Sequence, residues 1–183
     1  MADTQRTLTE ILTLLADNTT GDISAQDLRD AILSLSGGHG AAYISAAAAQ
    51  PTIVQNTWYE VAGTWTLSAD HHNWSLPSAG RLQYDGAART DVFVIGNFSY
   101  TSASNNTTYE VGVGLDGTVI PASIQRTKIA TGADTQSVSV AAQLEVAAGT
   151  SYLCLMIRNI DSTAKPTVVL GHINTSATIH DVS

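Results

Sequence analysis

The sequence is poor in the residues that crosslink, anchor or attract. A single cysteine stands among 183 residues, so no disulfide can form within one chain; Cys154, inside the apolar run YLCLMIR, is expected to be a small buried hydrophobe. Lysine and arginine number eight against sixteen acidic residues, a formal net charge of −8, and apart from Arg126 and Lys128 the cations are scattered. Nucleic acid and anionic membranes both require clustered cations, so neither is expected as a partner. No stretch nears the roughly eighteen consecutive apolar residues that cross a membrane. The first residues, with Asp3, Arg6 and Glu10, lack the basic-then-apolar order of a secretion signal, and the chain is expected to be made and folded in a cytosol. No G-x-S-x-G elbow, phosphate loop or dinucleotide fingerprint occurs, and no internal repeat of the kind that builds β-helical enzymes. No enzyme activity and no cofactor are expected.

What is present divides into three parts. Residues 1–36 read as a helical hairpin. Thr7 with Glu10 forms a capping box, and Leu8, Ile11, Leu12 and Leu15 fall at i, i+3, i+4 and i+7. Ser24 as N-cap with Asp27 at the third helical position opens a second stripe of Leu28, Ala31, Ile32 and Leu35, which Gly37, Gly38 and Gly40 close. The intervening ADNTTGDISAQDL resembles half of a calcium loop. Register argues against that: with Gly21 at the sixth position the first falls on Ala16, Asp17 is one residue out of place, and the twelfth is Asp27 instead of glutamate. Asn18, Thr19, Thr20 and Gly21 are therefore turn residues. Residues 37–50 form a glycine-then-alanine linker able to stay extended or to join a sheet edge, and Pro51 punctuates it.

Residues 51–183 carry short β-like runs at the spacing of an all-β sandwich: TIVQ, WYEVAG, WTLS, RLQYDG, DVFVIGNFSY, TTYEVGVGL, TVIPASIQRTKI, TQSVSVAAQLEV, SYLCLMIRNI and PTVVLGHINTSATI. Tyr109, Val111, Val113 and Leu115 alternate with Glu110, Gly112 and Gly114, and Asp116 with Gly117 signals a two-residue hairpin into Thr118. DVFVIGNFSY and SYLCLMIRNI are apolar on both faces, as strands are between a core and a partner subunit. Gly112, Gly114 and Gly171 invite close approach of another backbone.

Two constellations bear on chemistry. In DHHNW, Asp70 to Trp74, two imidazoles and a carboxylate suit zinc. Adjacent residues of an extended chain point to opposite sides, however, so His71 and His72 do not face one ion, and no metal site is expected. Glu60, Glu110, Asp116 and Glu145 are carboxylates of the kind that pair in glycoside hydrolysis, but the sequence does not fix their separation, and Asp116 is explained by its turn.

The words NTWYEV, GRLQYDGAARTDVFVIGNFSY, YEVGVGLDGTVI, RTKIATGADTQSVSV, RNIDST and VVLGHINTSATI resemble the jelly-roll domains of bacteriophage virion proteins, broadly similar to TNF and C1q heads. NTTGDISAQDLRDAILSL resembles a short module near the start of phage fibre and head proteins. The resemblance implies a mainly β chain, an antiparallel jelly-roll β-sandwich after a short N-terminal α-helical hairpin. It also implies a homotrimer on the outer capsid surface of a virion, made in the host bacterial cytoplasm, that acts as a capsid decoration, cement or short head-fibre protein. Its partner would be the major capsid protein, with Leu8, Ile11, Leu12, Leu15, Leu28, Ile32 and Leu35 expected at the contact, because a hairpin of this size exposes too much apolar stripe to stand alone. The alternative is a receptor-binding tail-fibre tip that stacks a host-surface glycan, or binds a protein, with Trp58, Tyr59, Trp65 and Trp74.

Overall fold

The structure, a computed structural model, describes residues 10, 11, 13, 24, 26–29, 31, 38–50, 53–87 and 89–178. Leu8, Leu12, Leu15, Ile32 and Leu35, and with them most of the expected hairpin, lie outside the described residues. The second cap is present as a reciprocal box. The Asp27 backbone N–H donates to Ser24 Oγ at 3.1 Å, the Ser24 N–H donates to Asp27 Oδ2 at 2.9 Å, and residues 26–29 are helical. Ile11 and Ala31 are buried, whereas Leu28 is 54% exposed.

The remainder is all β: β1 (His39–Ile44), β2 (Ala48–Ala49), β3 (Tyr59–Glu60), β4 (Trp65–Leu67), β5 (Trp74–Ser78), β6 (Arg81–Tyr84), β7 (Thr90–Ser102), β8 (Thr107–Leu115), β9 (Thr118–Val119), β10 (Gln125–Ile129), β11 (Gln136–Val146), β12 (Tyr152–Asn159) and β13 (Pro166–Thr178), with one 3-10 turn at Pro121–Ser123. Among the described residues they make two antiparallel sheets. One has the order β11-β7-β13-β1-β4 with β2 on β13; the other has β10-β8-β12-β6-β5 with β3 on β12 and β9 on β8. From β6 onward the chain passes repeatedly from one sheet to the other, which is the winding of a jelly roll.

Alternation builds the core. Val92, Val94, Phe98 and Tyr100 of β7 face Val111, Val113, Leu153, Leu155 and Ile157 of the opposite sheet, and Tyr100 meets Tyr109 edge-on at 5.5 Å. The sheets interlock at Gly96, where a Cβ would stand 2.5 Å from Leu155 Cδ2 and 3.0 Å from Val140 Cγ2. The expected hairpin forms, and Asp116 and Gly117 both take positive φ, 51° and 76°, as a type I′ turn requires.

Three expectations change. Residues 38–50 of the expected linker are part of the sandwich, since β1 lies between β13 and β4, away from the sheet edge. Tryptophan fills the space beside Gly40, where a Cβ would stand 2.7 Å from Trp74 Cβ, while Ala42 and Ile44 complete the buried side of β1. Ile53 to Gln55 of TIVQ form no strand, although Ile53 is buried. The strand glycines admit side chains where backbones were expected. Gly114 makes room for Met156 and Cys154, Gly112 for Val119 and Ser123, and Gly171 for Ile44.

The two strands apolar on both faces also part ways. The second face of β12, Cys154 and Met156, is buried within this chain, while that of β7, Phe93 and Ile95, is exposed. At the sheet margins β10 carries Arg126 and Lys128, β5 carries Pro77, and β4 is only three residues long. β11 is eleven residues long and uncharged until Glu145.

Two outcomes are expected from this packing. Gly114→Ala, whose Cβ would stand 2.7 Å from Met156 Cγ and 2.8 Å from Cys154 Sγ, should lower the urea-unfolding free energy by about 1–3 kcal/mol. Burial pushes the Cys154 thiol up to about 12, so a thiol reagent should leave the native protein unmodified and react only after unfolding.

Candidate functional site

The two sheets present opposite kinds of surface. On the outer face of the β10-β8-β12 sheet, register sets one cross-strand row. Arg126 and Arg158 both stand opposite Glu110, and Trp58, the residue before the Tyr59↔Ile157 pair, follows Arg158. Arg126 Nη2 lies 2.5 Å from Glu110 Oε1, Arg158 Nη2 lies 2.6 Å from Oε2, and the Arg158 guanidinium sits 4.7 Å over the Trp58 ring. The Glu110 side chain is 5% exposed. Burial works against its charge, but the hydrogen bonds and positive charge of Arg126 and Arg158 prevail and hold the carboxyl below its ordinary range.

A second cluster joins Glu60, Arg81 and Tyr152. Arg81 donates to both Glu60 oxygens at 2.8 and 3.1 Å, and the Tyr152 hydroxyl donates to Oε1 at 2.9 Å. The Tyr152 phenol is pushed up to about 12, first by burial and then by Glu60.

The carboxylates considered for hydrolysis are thus all engaged. Glu60 and Glu110 are held by arginines. Asp116 accepts from the Tyr152 backbone N–H and the Ser151 hydroxyl, and Glu145 lies 3.5 Å from Arg89. The histidines of DHHNW separate. The His71 Nδ1 lies 2.7 Å from the Ser68 carbonyl, while His72 pairs its backbone with His39, whose Nε2 is 3.1 Å from Asp70 Oδ1. Among the described residues no three His, Cys, Asp or Glu side chains gather as a metal would need.

The aromatic residues of the receptor-binding alternative do not gather on one surface. Trp65 is 8% exposed and donates its indole N–H to the Val61 carbonyl; Trp74 is 2% exposed and packs on Tyr84 at 5.2 Å. Both belong to the core, where a large ring gains most from burial, and neither offers a face to a sugar. Trp58 and Tyr59 are half-buried, Trp58 stacked by Arg158 and the Tyr59 hydroxyl accepting from the Val54 N–H at 3.0 Å.

The other sheet differs. Through its middle the outward residues are Ser137, Ser139, Ala141 and Gln143 on β11; Phe93, Ile95, Asn97 and Ser99 on β7; Leu170, His172, Asn174 and Ser176 on β13; and Ala41 and Tyr43 on β1, with Thr66 on β4; at one end the same face runs on to His39 of β1 and to the paired Asp91 and Glu145. None of the residues in that middle is Asp, Glu, Lys or Arg, in a chain of net charge −8. Phe93 is 50% exposed, Tyr43 42% and Leu170 54%. Beside Leu170 the short side chains of Asn97, Ser99, Ser137 and Ser139 leave a depression of about 340 Å³. A neutral, aromatic-bearing, relieved face is unlike ordinary solvent-facing sheet and has the charge depletion of an interface core. The sequence held one signal of it, the outward parity of Phe93 and Ile95 in DVFVIG. The four strands that supply the rest of the surface were not assigned as neighbours.

No family model and no curated protein matches the sequence. Among solved structures the chain is similar to the Eiger TNF of S. frugiperda, at 14% identity over 81% of this chain and 94% of that one, TM-score 0.49. It is similar also to the PRD1 vertex protein P5, at 12% identity over 80% and 99%, TM-score 0.44, and to a family 35 carbohydrate-binding module from Clostridium thermocellum, at 12% over 72% and 90%, TM-score 0.33. At these identities what those proteins do is not read across. The class is defined by the chain's own strands: an antiparallel jelly-roll β-sandwich.

Replacing Glu110 by Gln should cost about 1–3 kcal/mol near neutral pH, because two guanidinium groups lose their shared anion. A carboxyl held low contributes stability above about pH 4.3, its unfolded value, and loses it as pH falls through the lower folded value. Urea midpoints measured down to about pH 3 should show this acid-side loss in the native sequence and its absence in Glu110→Gln.

Proposed function

We propose that the chain is a non-enzymatic structural protein of a bacteriophage virion, a capsid decoration, cement or short head-fibre protein. It assembles as a homotrimer and is anchored to the major capsid protein through residues 1–36. The observation that carries the assembly is the outer face of the β11-β7-β13-β1-β4 sheet, whose middle is free of charge and whose carboxylates, Asp91 and Glu145, stand at one end. Copies at −8 each repel wherever their charges approach, and the middle of this face is where they approach without charge. Strands about 4.8 Å apart, rising about 3.4 Å per residue, give it roughly 700 Å², near the roughly 800 Å² per partner of a stable interface. The virion setting rests on the sequence words shared with phage jelly rolls and on the capped N-terminal segment, where Leu28 stands exposed. The arginine-held carboxylates of the opposite sheet agree with a role other than hydrolysis.

Light scattering and cosedimentation with undecorated capsids test the reading together. A mass of three times 19.2 kDa and saturable capsid binding are expected. Phe93→Asp should yield a folded monomer, and deletion of residues 1–36 a folded trimer that no longer binds capsids. A trimer that ignores capsids and adheres to bacterial cells would establish the receptor-binding alternative, with the partly exposed Trp58 as the first residue to replace.

A further inference from the structure

The neutral face holds one group able to acquire charge in mild acid at its middle. His172 of β13 stands between Asn97 of β7 and Tyr43 of β1, with Ser139 of β11 and Thr66 of β4 beyond them in the same cross-strand row. Its neighbours in the adjoining rows are Leu170, Asn174, Ile95, Ser99, Ala41 and Ala141. Among all of these the Tyr43 phenol is the other titratable group, and phenols are neutral in acid.

The charges nearest along the strands are distant. His39, with Asp70, is four residues from Tyr43, roughly 14 Å, while Asp91 and Glu145, with Arg89, are six residues from Asn97 and Ser139, roughly 20 Å. Both spans exceed the Debye length of about 8 Å at physiological ionic strength. No carboxylate of this face is placed to balance an imidazolium at its centre.

We propose that His172 makes the association of copies through this face sensitive to protons: the neutral imidazole is compatible with assembly and the imidazolium opposes it. The inference rests on the self-association reading above. A copy standing alone keeps the imidazole partly in contact with water. Assembly removes that water and supplies neutral neighbours, so the separated copies bind more protons than the assembled ones. Association therefore strengthens as pH rises and weakens as it falls across the range in which histidines change charge, about pH 8 to 5. In a closed ring every copy brings its own His172 to the seam, and the like charges add. Each unit by which assembly lowers the proton affinity of one imidazole is about tenfold in the association constant.

Sedimentation equilibrium of the full chain at about pH 7.5 and about pH 5 tests this, with His172→Gln and His39→Gln compared and circular dichroism recorded on each. The native sequence should be assembled at the higher pH and at least about tenfold weaker at the lower. His172→Gln should stay assembled at both, and His39→Gln should follow the native sequence. Equal association of the native chain at both pH values, or acid dissociation of His172→Gln like that of the native chain, overturns the role of His172 and leaves the self-association intact. A native chain monomeric at both overturns the self-association reading and this inference with it.

Discussion

Leu155, at the middle of one sheet, fills the space that Gly96 leaves at the middle of the other. The rest of the sandwich depends on that close seating. It fixes which residues of β7 and β12 point inward, and through the long β7–β13, β7–β11 and β12–β8 ladders it fixes the facing of nearly every other strand. Once Val94 and Phe98 are committed to the core, Phe93, Ile95 and Asn97 have no alternative but the outer surface. The neutral face is thus a by-product of register, and its composition is what calls for explanation.

The two outer surfaces divide the work of keeping an acidic chain folded. One sheet carries its charges in opposed rows, so that Glu110, though nearly buried, faces two guanidinium groups, and Glu60 faces one guanidinium and a phenol. The partially exposed arginines keep part of their hydration while the carboxylate gains donors, which limits the desolvation penalty that a wholly buried pair incurs. The other sheet has almost no charge to balance. That division matches a molecule with one side toward solvent and the other toward copies of itself, which is the arrangement proposed here.

Much of this was legible from residues alone, and the parts that were not have a common cause. The Asp116–Gly117 hairpin, the alternation of β8 and the Ser24–Asp27 cap are local, and local chemistry announced each of them. HGAAYI did not read as an interior strand because two of its three inward positions are glycine and alanine, and Gly40 is held small by Trp74, more than thirty positions later in the chain, which occupies the space a Cβ would need. Trp58, Tyr59, Trp65 and Trp74 cluster in sequence but separate in space, since burial of two of the rings is decided by the sheet they land on. The same limit hid His172, whose surroundings come from four other strands.

The margins of the sheets carry a consequence of their own. Arg126 and Lys128 on β10, Pro77 on β5 and the brevity of β4 all discourage a stray strand from pairing there, whereas β11, paired along its length with β7 on one side, presents an eleven-residue outer edge with no charge before Glu145. Such an edge does not discriminate between a proper neighbour and a half-folded chain. A copy with that edge uncovered is therefore open to mispairing with any extended, partly folded chain it meets.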